Sequence, residues 1–161
     1  MPFAEFWSWL EVQPLSAHIG ETAWFPFLES LHVLAATFVV GTILIADLRL
    51  LGFAARSHPV SRIVREIIPW TWGAFALAVI TGTGLFITRA SAYIANTAFQ
   101  VKLVLLVLAG ANVLVLHVAL FRDIERWDTH APRRAARFAG GCSLLVWAAV
   151  LLAGRWIGHL S

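Results

Sequence analysis

Four apolar runs organise the chain, from about Phe25 to Ala46, Ile67 to Ile87, Val101 to Phe121 and Cys142 to Ile157. Each approaches the roughly 20 residues that one helical crossing of a ~30 Å hydrocarbon core requires. None alternates polar and apolar residues as barrel strands do, and backbone groups in lipid must be satisfied within the segment, so each run is predicted to be a helix. Short connections make successive helices antiparallel neighbours. The expected fold is therefore all-α: an up-down-up-down four-helix membrane bundle forming one domain over residues 1–161. Ahead of it, Phe3, Phe6, Trp7 and Leu10 recur at spacings of three and four, with Glu5 and Ser8 off that stripe. This pattern predicts an interfacial amphipathic segment over residues 1–23, with Trp7, Trp9 and Trp24 at headgroup level. The segment has no basic n-region and no A-x-A site, so it does not read as a signal peptide.

Composition agrees with this reading. The chain is 60% hydrophobic and 13% charged, with a mean hydropathy of +0.79, whereas soluble domains carry about 25% charged residues. The lone Cys142 excludes a disulfide framework, a cysteine-ligated iron–sulfur cluster and c-type haem attachment. Met1 is the only methionine, which speaks against a methionine-lined copper path.

Charge placement predicts an orientation. Arg49, Arg56, Arg62 and Arg65 fall between the first two spans, and Arg122, Arg126, Arg133, Arg134 and Arg137 between the last two. The positive-inside rule puts both loops in the cytoplasm of a bacterium and both termini outside its inner membrane. The other side has Arg89, Lys102 and the partly embedded Arg155, while the N-terminal stretch carries Glu5, Glu11, Glu21 and Glu29. The net charge of +3 thus follows topology, and no nucleic-acid partner is expected.

Ionisable residues inside spans are costly and by default pose a functional question. His32, near the start of the first helix, and His117, near the end of the third, differ in depth by roughly 15 to 20 Å, because those helices run in the same direction. Two polar layers are expected. The outer one groups His32, Glu29, Arg155 and His159 with Thr81 and Thr83; the inner one groups His117, Asp47 and Arg49, with His58 and His130 in the adjoining loops and Gly110 two turns before His117. Imidazoles, small residues beneath a flat ring and arginines for propionates suit one or two b-type haems. On that reading His32, His117 and His159 are candidate iron ligands, Arg155 and Arg49 propionate partners and Gly110 part of the floor, with Glu29 and Asp47 as supporting or relay groups. The plainer reading makes each histidine a helix-to-helix hydrogen bond, Asp47 and Arg49 a boundary ion pair or headgroup anchor, and the glycines packing residues.

Several strings together resemble a family of small four-span bacterial membrane proteins classed as a domain of unknown function. They are Leu31-His32, Asp47-Leu48-Arg49-Leu50-Leu51-Gly52, Pro69-Trp70, Thr81-Gly82, Ala98-Phe99-Gln100-Val101-Lys102-Leu103, Asn112, His117, Trp147 and Gly154-Arg155. The Asp-Leu-Arg-Leu-Leu-Gly string is the most specific, and the resemblance runs along most of the chain. It implies the four-span architecture and singles out His32, Asp47, Arg49, His117 and Arg155, without an activity. More distantly the arrangement is similar to membrane b-type cytochromes and to copper-resistance membrane domains. The expectation is a haem b protein that transfers electrons, with quinone or a redox protein as partner, and an oxidoreductase activity is left open. The alternatives are a cofactor-free proton, ion or small-solute transporter and an accessory membrane subunit. Small-residue faces also make a homo-oligomer an expectation.

Overall fold

The computed structural model describes residues 2–53, 59–116, 124 and 134–159. Among these, the chain forms seven α-helices: α1 (Pro2–Glu11), α2 (Pro14–Glu21), α3 (Trp24–Leu51), α4 (Val60–Thr88), α5 (Ala90–Ala95), α6 (Thr97–Val115) and α7 (Arg134–Ile157). The long helices α3, α4, α6 and α7 are each long and apolar enough to cross a membrane. The fold class expected from the hydrophobic pattern is thus the one observed.

The helices outrun the apolar segments that reveal them. At 1.5 Å per residue, the 28 residues of α3 and 29 of α4 extend about 40 Å, past a ~30 Å hydrocarbon core. Helix α4 starts at Val60, seven residues before the apolar run, because Arg62, Arg65 and Glu66 are good helix formers outside lipid. There Arg62 Nε donates to Glu66 Oε1 at 2.8 Å. Pro69, expected at the head of this span, lies inside the helix. For the same reason α7 begins at Arg134, eight residues before its apolar run.

Helix ends follow local chemistry. Gly52 stops α3 with a left-handed φ of 83°, its N–H donating to Arg49 O, while Phe53 N–H reaches back to Leu48 O at 2.9 Å. A side chain would be strained at that φ, which gives the final glycine of the Asp-Leu-Arg-Leu-Leu-Gly string a structural role. Asn96 caps α6 by accepting from Phe99 N–H at 3.2 Å, and its Nδ2 donates to Ile157 O at 3.1 Å, tying the start of α6 to the end of α7.

Packing departs from a closed ring of sequential neighbours. Helix α3 packs against α4 and α7, and α6 packs against α7, whereas α4 and α6 make no comparable backbone approach. The order across the bundle is α4, α3, α7, α6, with a seam between the outer two. Small buried residues, Ala35, Ala109, Ala136, Ala139 and Gly140, permit the close approaches. One apolar cluster joins Val39, Ala109, Trp147 and Val150 in mid-bundle; a second joins Leu50, Val60, Val64, Leu116, Ala136 and Ala139 at the arginine-rich end. Large apolar side chains such as Leu34, Ile80, Val107 and Leu145 face outward, as lipid contact requires.

The N-terminal segment is helical as expected but broken in two, with Pro14 opening α2 at a position where its missing N–H costs little. Both pieces lie against the end of the bundle. Trp7 meets Phe86 edge-on at 5.7 Å, Glu11 Oε1 accepts from Ser91 N–H at 2.7 Å, and Ile19 is buried. Phe86, Tyr93 and Phe99 complete an aromatic cap bridging α4, α5 and α6 across the seam.

Candidate functional site

One point in the bundle draws polar contributions from three of the long helices, α3, α4 and α6. His32 of α3 lies about 12 Å along its helix and turns its ring toward α4. Its Nδ1 is 2.9 Å from Ala78 O and 3.2 Å from Thr81 Oγ1. A carbonyl only accepts, so Nδ1 carries the proton and Nε2 keeps its lone pair. Thr81 is fully buried, and its hydroxyl donates to Leu77 O at 2.7 Å, leaving the oxygen free to accept from His32. Lys102 of α6 donates from Nζ toward His32 Nε2 at 3.5 Å, the long limit of a hydrogen bond.

Gly82 makes room for this arrangement, and Gly154 lies beside it. A Cβ at Gly82 of α4 would stand 2.9 Å from His32 Cε1, closer than the ring tolerates. A Cβ at Gly154 of α7 would stand 3.7 Å from Lys102 Nζ, in ordinary contact. The imidazole therefore lies directly on the α4 backbone, and the lysine stem on that of α7. Among the described residues Lys102 has no carboxylate partner.

A second polar point lies toward the arginine-rich end. Asp47 is 3% exposed, and the Ser143 hydroxyl of α7 hydrogen-bonds its carboxyl. Among the described residues Asp47 Oδ2 has no hydrogen-bond partner. Nearby, Asn112 Nδ2 donates to Ala139 O at 3.1 Å and Arg137 Nη2 to Leu51 O at 3.4 Å, which fastens α6 to α7 and α7 to α3. Between the two points, Thr71 Oγ1 of α4 donates to Thr42 Oγ1 of α3 at 2.9 Å.

The remaining expected site residues are dispersed. Glu29, Arg155 and His159 are exposed, and the α7 face carrying Leu152, Arg155, Trp156 and His159 looks away from the interior. The inward face of α7 is instead Ala136, Ala139, Gly140, Ser143, Trp147 and Val150. Gly110 is exposed, and a Cβ there would meet nothing within 4 Å. Arg49 sits half-buried on the last turn of α3. His117, His58 and His130 lie outside the described residues. None of the polar neighbours of His32 is a histidine, and no group of three or more His, Cys, Asp or Glu that could hold a metal occurs among the described residues.

Lys102 was not among the residues that sequence reasoning singled out for chemistry. The available signal was its singularity: it is the only lysine, placed within an apolar run of a chain whose other basic side chains, histidines aside, are all arginine. Ser143 had no distinguishing signal, since a serine in a small-residue stretch reads as packing.

No curated protein and no solved structure matches the chain. A family model does match, over residues 6–160, and with that extent of agreement the chain belongs to DUF6644, a family of unknown function.

Proposed function

We propose that this chain is a membrane haem b protein that transfers electrons, with His32 as an iron ligand. The observation that carries the proposal is the Nδ1–H bond to Ala78 O, because metal-ligating imidazoles usually donate their other ring nitrogen to a carbonyl or carboxylate, which orients the ring and raises its basicity. Thr81 reinforces that bond and Gly82 fixes the plane of the ring. Lys102 occupies the approach to Nε2, so loading requires its flexible stem to swing aside, after which its basic head is placed for a propionate. Bound haem would supply one-electron chemistry. His32 would hold it, the lipid-facing side chains would exclude water, and quinone or a redox protein would exchange electrons with it.

The test is an oxidised and dithionite-reduced absorption spectrum of the detergent-purified protein expressed with added haem precursor. A Soret band with α and β bands that sharpen on reduction, lost in His32→Ala, supports the assignment. An unchanged spectrum in His32→Ala contradicts it.

A second reading, cofactor-free proton or solute transport, is favoured by one observation. Polar groups at His32–Lys102, Thr42–Thr71 and Asp47–Ser143 are distributed along the bundle rather than gathered at one depth. Asp47→Asn abolishing proton flux in proteoliposomes would support it, and unchanged flux would count against it.

For location we propose the bacterial inner membrane, with both termini periplasmic and the arginine-rich end cytoplasmic, on the strength of the positive-inside rule. A C-terminal alkaline phosphatase fusion should be active and a fluorescent-protein fusion dark. The reverse pattern would overturn the orientation.

A further inference from the structure

Two buried side-chain atoms among the described residues lack hydrogen-bond partners: Asp47 Oδ2 and Trp147 Nε1. They are complementary, since a carboxylate oxygen accepts and an indole N–H only donates. They also belong to helices that pack face to face, Asp47 to α3 and Trp147 to α7. Ser143, which bonds the Asp47 carboxyl, precedes Trp147 by one helical turn. Long side chains on a helix lean back over the turn that precedes them, so the Trp147 indole leans toward the Ser143 turn and hence toward Asp47.

The opposite side of the carboxyl is already filled. A Cβ at Gly140 would stand 3.7 Å from Asp47 Oδ1, 3.6 Å from Asp47 O and 3.5 Å from Leu50 Cβ, so the α7 backbone covers that flank. Asp47 Oδ2, the unpartnered oxygen, is not among the nearest atoms on that flank. An orphaned buried donor or acceptor gives up its hydrogen bond to water without a replacement, which weighs heavily against the small net stability of a folded domain. Two such groups on the facing helices α3 and α7 call for a shared solution.

We propose that buried water, one molecule or a short chain, bridges Trp147 Nε1–H and Asp47 Oδ2 and forms an internal hydrated site between α3 and α7. Water both accepts from the indole and donates to the carboxylate, and Ser143 Oγ offers the further polar partner that buried waters use. An apolar guest would leave both orphans unsatisfied. A cation would satisfy Asp47 while facing the positive end of the indole N–H dipole. The site is independent of the haem reading of His32, which lies fifteen positions earlier on α3, and it adds Trp147 and a bound water to the Asp47–Ser143 pair that the transport reading uses. It places an exchangeable proton carrier beside the only buried carboxyl among the described residues.

Ultraviolet resonance Raman spectroscopy of the full chain in nanodiscs tests this, with the Trp147 contribution isolated by subtracting the spectrum of Trp147→Phe. The expected result is an indole band at its hydrogen-bonded position that converts to the N–D form in D2O while the protein stays folded. Asp47→Leu should lose the hydrogen-bonded position, whereas Asp47→Asn, which keeps an acceptor oxygen, should retain it. Helical circular dichroism reports whether each variant folds, and the exchange measurement on the unaltered protein stands without the Asp47 variants. A non-bonded Trp147 band overturns the proposal, as does a bonded band that resists exchange, since the latter means a dry direct contact.

Discussion

Lys102 Nζ stands 3.5 Å from His32 Nε2 although the two residues are 70 positions apart in the chain. Helix α6 has no comparable backbone approach to α4, so side-chain contacts join it to the α3–α4 half of the bundle: this one with α3, the aromatic cap and the two apolar clusters. A lysine serving only as packing could be replaced by methionine, which matches its length and removes its charge. Lys102→Met should therefore leave helicity unchanged and thermal stability within about 1 kcal/mol, as volume-conserving swaps do. It should nevertheless shift the imidazole nitrogen resonances of His32 in labelled protein. A fall in stability with unmoved resonances would assign Lys102 a structural role alone.

Gly82 and Gly154 look alike in sequence but not in space. Gly82→Ala forces a methyl to 2.9 Å from a ring held by two bonds, while Gly154→Ala places one at an ordinary 3.7 Å from a flexible lysine. Overpacking typically costs about 1–3 kcal/mol, partly offset by the roughly 1 kcal/mol helix preference of alanine over glycine. Thermal unfolding in detergent should show Gly82→Ala destabilised and Gly154→Ala neutral or stabilised. Equal behaviour of the two would mean that His32 does not rest on the α4 backbone.

Tyr93, between two spans, offers a pH readout of the aromatic cap. Burial raises its phenol above the ordinary 10.0, with nearby Arg89 opposing the shift and Glu29 adding to it. The folded state thus favours the neutral phenol. Its stabilising contribution is present below about pH 10, the unfolded value, and is lost as pH rises through the higher folded value. Because Tyr93 is the only tyrosine, tyrosinate absorbance reports it alone. Titration should lie above that of free tyrosine in the folded protein and return to the ordinary value in denaturant; coincident curves would contradict burial of the cap.

The four spans were legible because lipid imposes a length and a polarity that few other environments demand. Their ends were less so: α4 and α7 continue through Arg62 and Arg137, where helix propensity persists after hydrophobicity stops. The site was half legible. His32 and Asp47 are conspicuous as ionisable residues in spans, and Thr81 follows from its depth. Which face of a helix turns inward is harder to read when apolar residues surround it, since lipid and core select similar side chains. On α7 the polar face with Arg155 and His159 suggested an interior, whereas the small residues Gly140, Ser143 and Gly154 mark it. Lys102, exposed by no periodicity, finds its place only through the three-dimensional meeting with His32.

The most direct test of the central claim is the reduced-minus-oxidised absorption spectrum of the haem-supplemented protein beside that of His32→Ala and His159→Ala. The account predicts a b-type spectrum that disappears in His32→Ala and persists in His159→Ala, whose imidazole is exposed. A protein purified without any Soret absorbance, or a spectrum indifferent to the loss of His32, would contradict it.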